Sequence, residues 1–272
     1  MTMLLRMSLL LALLAAAPKG HVAAAFHCLV LLALFFPKLG KNHDFWLAIT
    51  SLQVFAIFFS WGSSDNHKYL IAYWFLTLYL AFLSTKNNKQ ACVDFCSQSA
   101  RYLIAGAMLF AVVAKLIHGD YINGDFFRYT LLMDGRFKVF TTLFTSVDKT
   151  ILDTNGEAMK LMRDSQGLSM TLQGLKEVNA LAIFLTWWTV LIEALIGTLF
   201  LWNKKPVLTH ACLIVFMITT YSVATVTGFS LILCCLAYAH ALKQDFDPRI
   251  RLFYPCFFAF TFVLGLSLGE IL

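Results

Sequence analysis

Nine apolar segments recur along the chain, at 2–17, 21–36, 45–61, 69–84, 101–118, 180–202, 207–224, 228–243 and 253–271. Lipid accepts only helices and closed barrels, because every buried backbone group must find its partner within the protein. A barrel strand alternates apolar and polar positions, whereas these runs are continuously apolar, as in Ala180 to Trp202. The pattern therefore predicts an all-α polytopic membrane protein with about eight or nine transmembrane helices. Several segments hold only about sixteen residues, short of the roughly twenty that cross a bilayer. The first two thus read either as spans or as a re-entrant pair. The weak break at Thr227-Gly228 leaves 207–243 open to another division.

The stretch 119–179 departs from this pattern. It mixes Gly-Asp turns, aromatic residues and balanced charge, with amphipathic spacing at Leu168, Leu172 and Leu175. We read it as an extramembrane cap of short helices between the fifth and sixth spans. The chain then divides into membrane helices over 1–118, the cap over 119–179, and membrane helices over 180–272.

Composition agrees, with 60% of residues hydrophobic and only 13% charged. The net charge of +6 is spread over many loops, and no basic block points to nucleic acid. Its distribution does carry information. With nine spans and a cytoplasmic N-terminus, Arg6, Lys38, Lys41, Lys86, Lys89, Arg101, Lys204, Lys205, Lys243, Arg249 and Arg251 face the cytoplasm, and only Lys19 and Lys68 fall in short loops opposite. The positive-inside rule selects that orientation and puts the cap outside. The setting expected is a bacterial inner membrane. Met1 to Ala17 resembles a secretory signal, but is read as a retained helix.

Strong catalytic motifs are absent: there is no Gly-rich phosphate loop, G-x-S-x-G elbow, H-E-x-x-H or CxxC pair. Cys92 and Cys96 are placed in a cytoplasmic loop at 85–100, where thiols stay reduced. Cys28, Cys212, Cys234, Cys235 and Cys256 sit in apolar spans as small hydrophobes.

What remains is polar residues at membrane depth, where an ionisable group is costly and marks a site by default. Lys115 lies near the end of the run Tyr102–Ile117, which is followed by His118 and Asp120. The assigned topology puts His21, His27, Asp65, His67, Lys68, Lys115, His118 and Asp120 near the external side, where they could gather beneath the cap or simply snorkel. Glu193 falls near the middle of the longest run, roughly 20 Å from its external end, against about 5 Å for Lys115. A direct ion pair between the two is therefore not expected, and Thr219, Thr220 or Tyr221 are the candidate partners of the carboxyl. His210 and His240 lie near cytoplasmic helix ends. Two histidines could begin a haem or metal site, but no third ligand is evident, and a satisfied or snorkelling pair is the plainer reading.

The helix closing on Ala114-Lys115-Leu116, followed by Gly119-Asp120-Tyr121 and Gly124, resembles the HTTM proteins, bacterial membrane relatives of vitamin K-dependent gamma-carboxylase. Glu193 with Leu199-Phe200-Leu201-Trp202, and the helix bearing Thr209-His210, add to the likeness, which covers about 100 to 272. Tyr121 stands where the family usually has Trp, and Lys115-Leu116 where the carboxylase has two Lys, so that Lys115 matches either one. The resemblance implies that Lys115 acts as base on a quinone-type molecule at the external face, with His118 and Asp120 beside it and Glu193 and His210 as ligand-binding candidates. No resident cofactor is assigned. The competing expectation is an accessory subunit whose aromatic surface, with 26 Phe, packs against other membrane subunits as well as the lipid bilayer.

Overall fold

The computed structural model describes all residues except 16–20, 64, 87, 165–170, 225, 245–247 and 268–272. Among the described residues there is no strand. The nine apolar segments form the helices α1 (Thr2–Ala15), α2 (His21–Phe35), α3 (His43–Phe59), α4 (Asn66–Thr85), α5 (Lys89–Ile117), α10 (Leu175–Trp202), α11 (Pro206–Val223), α12 (Thr227–Ala241) and α13 (Pro248–Ser267). The cap forms α6 (Gly119–Ile122), α7 (Asp125–Met133), α8 (Lys138–Phe144) and α9 (Lys149–Asp164). Four helices among the described residues, α4, α5, α10 and α11, are long and apolar enough to cross a membrane; α1, α2, α3 and α12 are apolar but shorter.

Local chemistry sets the boundaries. At the start of α3 the Asn42 side chain accepts the Asp44 amide, and at the start of α5 Asn88 accepts those of Gln90 and Ala91. Pro206 and Pro248 open α11 and α13, where a missing amide costs nothing. Lys86 after α4 and Asn203 after α10 take the left-handed conformation that commonly stops a helix.

Two compact units emerge, each with its own interior. The first comprises 1–107, 199–210 and 226–272. Its centre is α12, where Ser230–Ala237 and Ala239–Ala241 are all buried, with α1, α4 and α13 packed around it and α3 paired with α4. Lipid is as apolar as leucine, so such packing is held by close contact and hydrogen bonds between helices. One example is the Trp74 indole, which donates to the Ser8 hydroxyl at 3.0 Å and joins α4 to α1. In the same unit Phe35, Phe58 and Phe59 are exposed, as suits a lipid-facing surface.

The second unit comprises 108–198 and 211–225. Phe127, Leu131, Leu132, Phe137, Val147 and Leu152 of the cap form one core with Val178, Ala182 and Leu185 of α10 and Ala224 after α11. Asn155, buried, accepts the Gln173 amide and donates to its carbonyl, tying α9 to the segment before α10. Gly174, at φ +86°, makes the turn into α10 and lies against Leu132 and Val147.

Three expectations need correction. Cys92 and Cys96 lie in no loop: they are buried in the first turns of α5, which begins at Lys89. Lys89, Gln90, Asp94 and Gln98 are interleaved with Ala91, Cys92, Val93 and Cys96 at helical spacing, a pattern that a search for continuous apolar runs passes over. Described cysteines, these two included, are free thiols. Second, α10 begins at Leu175 rather than 180, because its first turns belong to the cap core. Third, Leu172 is not helical but packs on that core, and Leu168 lies outside the described residues.

Candidate functional site

Four successive contacts in the second unit run antiparallel along α10. Lys115 meets Glu193, Tyr121 meets Thr189, Gly124 lies against Thr186 and Ile183, and Arg128 meets Asn179. The chain leaving α5 thus continues beside α10 through α6 into α7. Gly124 is required at φ +82° with Ile183 this close. Phe126 and Phe127 pack around the Tyr121 ring and fix it.

This ladder overturns the expectation that Lys115 and Glu193 are too far apart to pair. The Lys115 Nζ lies 2.5 Å from both carboxylate oxygens of Glu193. A depth counted from residue 180 does not predict this pairing, because α10 begins at Leu175 and its Val178, Ala182 and Leu185 pack in one core with α7 to α9. Side-chain direction closes the remaining gap. Helical side chains lean toward their own N-terminus, so on antiparallel segments Lys115 leans inward and Glu193 outward. Thr219, a candidate partner of Glu193, instead donates to the Val215 carbonyl.

The pair is enclosed but not sealed, with 18% of the lysine and 10% of the glutamate side chain accessible. The Nζ sits 5.2 Å from the Tyr121 ring centroid. Because the Thr189 hydroxyl donates to the carbonyls of Leu185 and Thr186, its oxygen is free to accept from Tyr121 at 2.8 Å. The result is one cation, one carboxylate and one phenol within a few ångströms. Phe110, Val113, Leu116 and Ile117 nearby on α5 are exposed. Such a site can hold a proton on either member of the pair and present the ammonium to an oxyanion.

His118 and Asp120 are not part of it. Both are exposed, with no side-chain hydrogen bond among the described residues, His118 serving as the cap position before α6. The remaining external candidates belong to the first unit. His27 Nε2 lies 3.2 Å from the Leu13 carbonyl and His67 abuts Gly228, both within the first unit, while the His21 side chain is outside the described residues. Tyr121 and Thr189 were missed as partners. Two signals could have found them: Tyr121 is an aromatic residue six positions after Lys115, and Thr189 precedes Glu193 by four residues, on one helix face.

His210 belongs to a separate network in the first unit. Its Nε2 is 2.8 Å from His240 Nδ1, its Nδ1 is hydrogen-bonded to the Tyr254 hydroxyl, and the two imidazoles stack at an interplanar angle of 9°. Phe200 covers both rings, Ser97 donates to the His240 carbonyl at 3.2 Å, and Gln244 reaches His240 Nε2 at 3.3 Å. All three members of the core are essentially inaccessible. These histidines are satisfied rather than snorkelling, and a haem iron or metal would have to displace an existing bond. No cluster of three or more His, Cys, Asp or Glu suited to a metal occurs among the described residues.

Compared with known proteins, the chain matches no family model, no curated protein and no solved structure.

Proposed function

We propose that this chain is a nine-span, HTTM-like integral membrane protein that performs acid–base chemistry on a lipid-soluble, quinone-type molecule near the external face, with Lys115 as base and Glu193 as its partner. The observation that carries this reading is the enclosed Lys115–Glu193 pair in the last turn of α5. Buried ion pairs add little net stability, because desolvation offsets their attraction. A pair kept at a lipid-accessible helix end therefore calls for a reason in chemistry. Transfer of a proton from Lys115 to Glu193 frees the amine to accept the proton of a substrate hydroxyl, and the Lys115 ammonium so formed then faces the oxyanion.

Support for nine spans comes from the first unit, where the starts of α1, α3 and α5 and the last turn of α4 border one cavity. Helices that cross in alternation must share sides in this way. Together with the Lys and Arg bias, this favours a cytoplasmic Met1 and an external cap. The test is quinone retention. Protein purified from membranes in mild detergent should carry extractable quinone, and Lys115→Met and Glu193→Gln should each lose it while remaining folded. Equal quinone content in wild type and both variants would defeat the proposal.

A second reading, an accessory subunit, is favoured by the exposed aromatic surface of α3 and the turn after it, Phe55, Phe58, Phe59 and Trp61. Stoichiometric copurification with other membrane proteins, lost when Phe58 and Phe59 are changed to Ala, would select it.

A further inference from the structure

The cavity at the start of α1 has a volume of about 700 Å³ and a one-signed lining. Lys38 and Lys41, from the connection between α2 and α3, and Lys89, the first residue of α5, all border it, together with His43. No acidic side chain is among its described lining residues. The nearest acid in sequence, Asp44, is directed to His43 at 3.3 Å. The positive-inside rule accounts for lysines on this side of the membrane, but not for three of them around one concavity without a counter-charge. Three helices also begin here, at Thr2, His43 and Lys89, and add the partial positive charge of their N-terminal ends. Asn42 and Asn88 already satisfy amides at two of those ends, so the ammonium groups are the main attraction. The opposite wall is apolar, formed by Leu5 of α1 and Phe82 of α4.

Like charges held around one hollow repel one another, and an anion with several oxygens relieves that repulsion by accepting from more than one ammonium. An apolar wall beside the cations suits an anion that carries a chain. We propose that this cavity binds a phosphate group, as found in the headgroup of an anionic phospholipid, with Lys38, Lys41 and Lys89 as its cationic ligands and Leu5 and Phe82 against the first part of an acyl chain. Basic pockets between membrane helices recognise anionic headgroups by this chemistry. The site lies wholly in the first unit, is independent of Lys115 and Glu193, and needs only that the chain reside in a bilayer.

The full chain, delipidated in detergent, is titrated with phosphatidylglycerol or phosphatidylcholine and followed by native mass spectrometry. Inorganic phosphate is added in a parallel arm read by thermal shift. Phosphatidylglycerol should bind at least tenfold more tightly than phosphatidylcholine. At about fivefold per lysine, the triple variant Lys38→Gln, Lys41→Gln, Lys89→Gln should lose about a hundredfold, while the corresponding Lys→Arg triple retains binding. If the Gln triple does not fold, Lys38→Gln and Lys89→Gln alone should each lose about fivefold. Stabilisation by phosphate that the Gln triple abolishes, without preference between the two lipids, supports the anion site and assigns it to free phosphate. Equal binding of the two lipids with no effect of phosphate, or a Gln triple that keeps the preference, overturns the proposal.

Discussion

Removing Lys115 alone and removing it together with Glu193 should have opposite consequences. Lys115→Met leaves the Glu193 carboxylate, 10% accessible, without the ammonium that now lies 2.5 Å from both its oxygens. Breaking a fully buried pair costs about 3–5 kcal/mol. The accessibility of this pair admits some water, and we discount the cost to about 2–3 kcal/mol. At about 2–4 °C per kcal/mol, the melting temperature of Lys115→Met should fall by roughly 5–10 °C. Glu193→Leu, which strands the ammonium, should fall by less, because the lysine in the last turn of α5 can snorkel outward. The double variant Lys115→Met, Glu193→Leu removes both charges and should return to within about 1 kcal/mol of wild type, since replacing a buried pair by apolar groups is near neutral. The assay is thermal unfolding of all four proteins in one detergent, with retained quinone measured on the same samples. A double variant that is stable but quinone-free supports a working pair. Additive destabilisation, the double variant losing the sum of the singles, would refute the coupling inferred from the geometry.

A single cysteine introduced at exposed Thr154, in a chain otherwise free of cysteine, should react with an impermeant maleimide from outside intact cells, and one at Lys41 only after permeabilisation; the reverse pattern would invert the topology. In the cap, the hydrogen bond from Lys138 holds Asp153 below the usual carboxylate range. Its contribution is therefore present above the unfolded value of about 3.9 and lost as pH falls through the lower folded value. The difference in stability between wild type and Asp153→Asn should accordingly shrink as pH falls below the unfolded carboxylate value, and a difference that does not diminish on acidification would exclude this pair as its source. Gly228→Ala places a methyl carbon 2.5 Å from His67 Nε2, so the ring must move. That variant should lose about 1–3 kcal/mol, and His67→Ala should recover most of it; no recovery would mean that the strain lies elsewhere.

The helices were legible in the sequence because lipid imposes a single backbone solution on any long apolar run. Each of the nine runs became a helix, and the polar stretch between the fifth and sixth became a set of short ones. What composition could not supply was where a helix changes surroundings. The run from Ala180 reads as the start of a span, yet Ala182 and Leu185 face the same core as Val178 and the cap helices, and Glu193 meets Lys115. Apolar residues buried against protein and against lipid look alike in a hydropathy profile. The same blindness hid the start of α5, where alternate polar residues masked two buried cysteines.

The two polar networks show why depth estimates mislead more at ion pairs than at histidines. His210 and His240 needed only to lie near ends of neighbouring helices to meet, and their separation in sequence placed them correctly. Lys115 and Glu193 are joined by an intervening ladder, in which Tyr121, Gly124 and Arg128 each contact α10 further toward its N-terminus. Its register depends on Gly124 at φ +82°, a conformation that an L side chain adopts only with strain. Gly124→Ala should therefore shift α7 against α10 and loosen the Lys115–Glu193 pair from a distance. Its signature is a partial loss of quinone retention together with a weaker stability coupling between positions 115 and 193. Were Gly124→Ala to lower stability with that coupling unchanged, the ladder would be scaffolding for the cap alone, and the placement of Lys115 would rest on the packing of α5 itself.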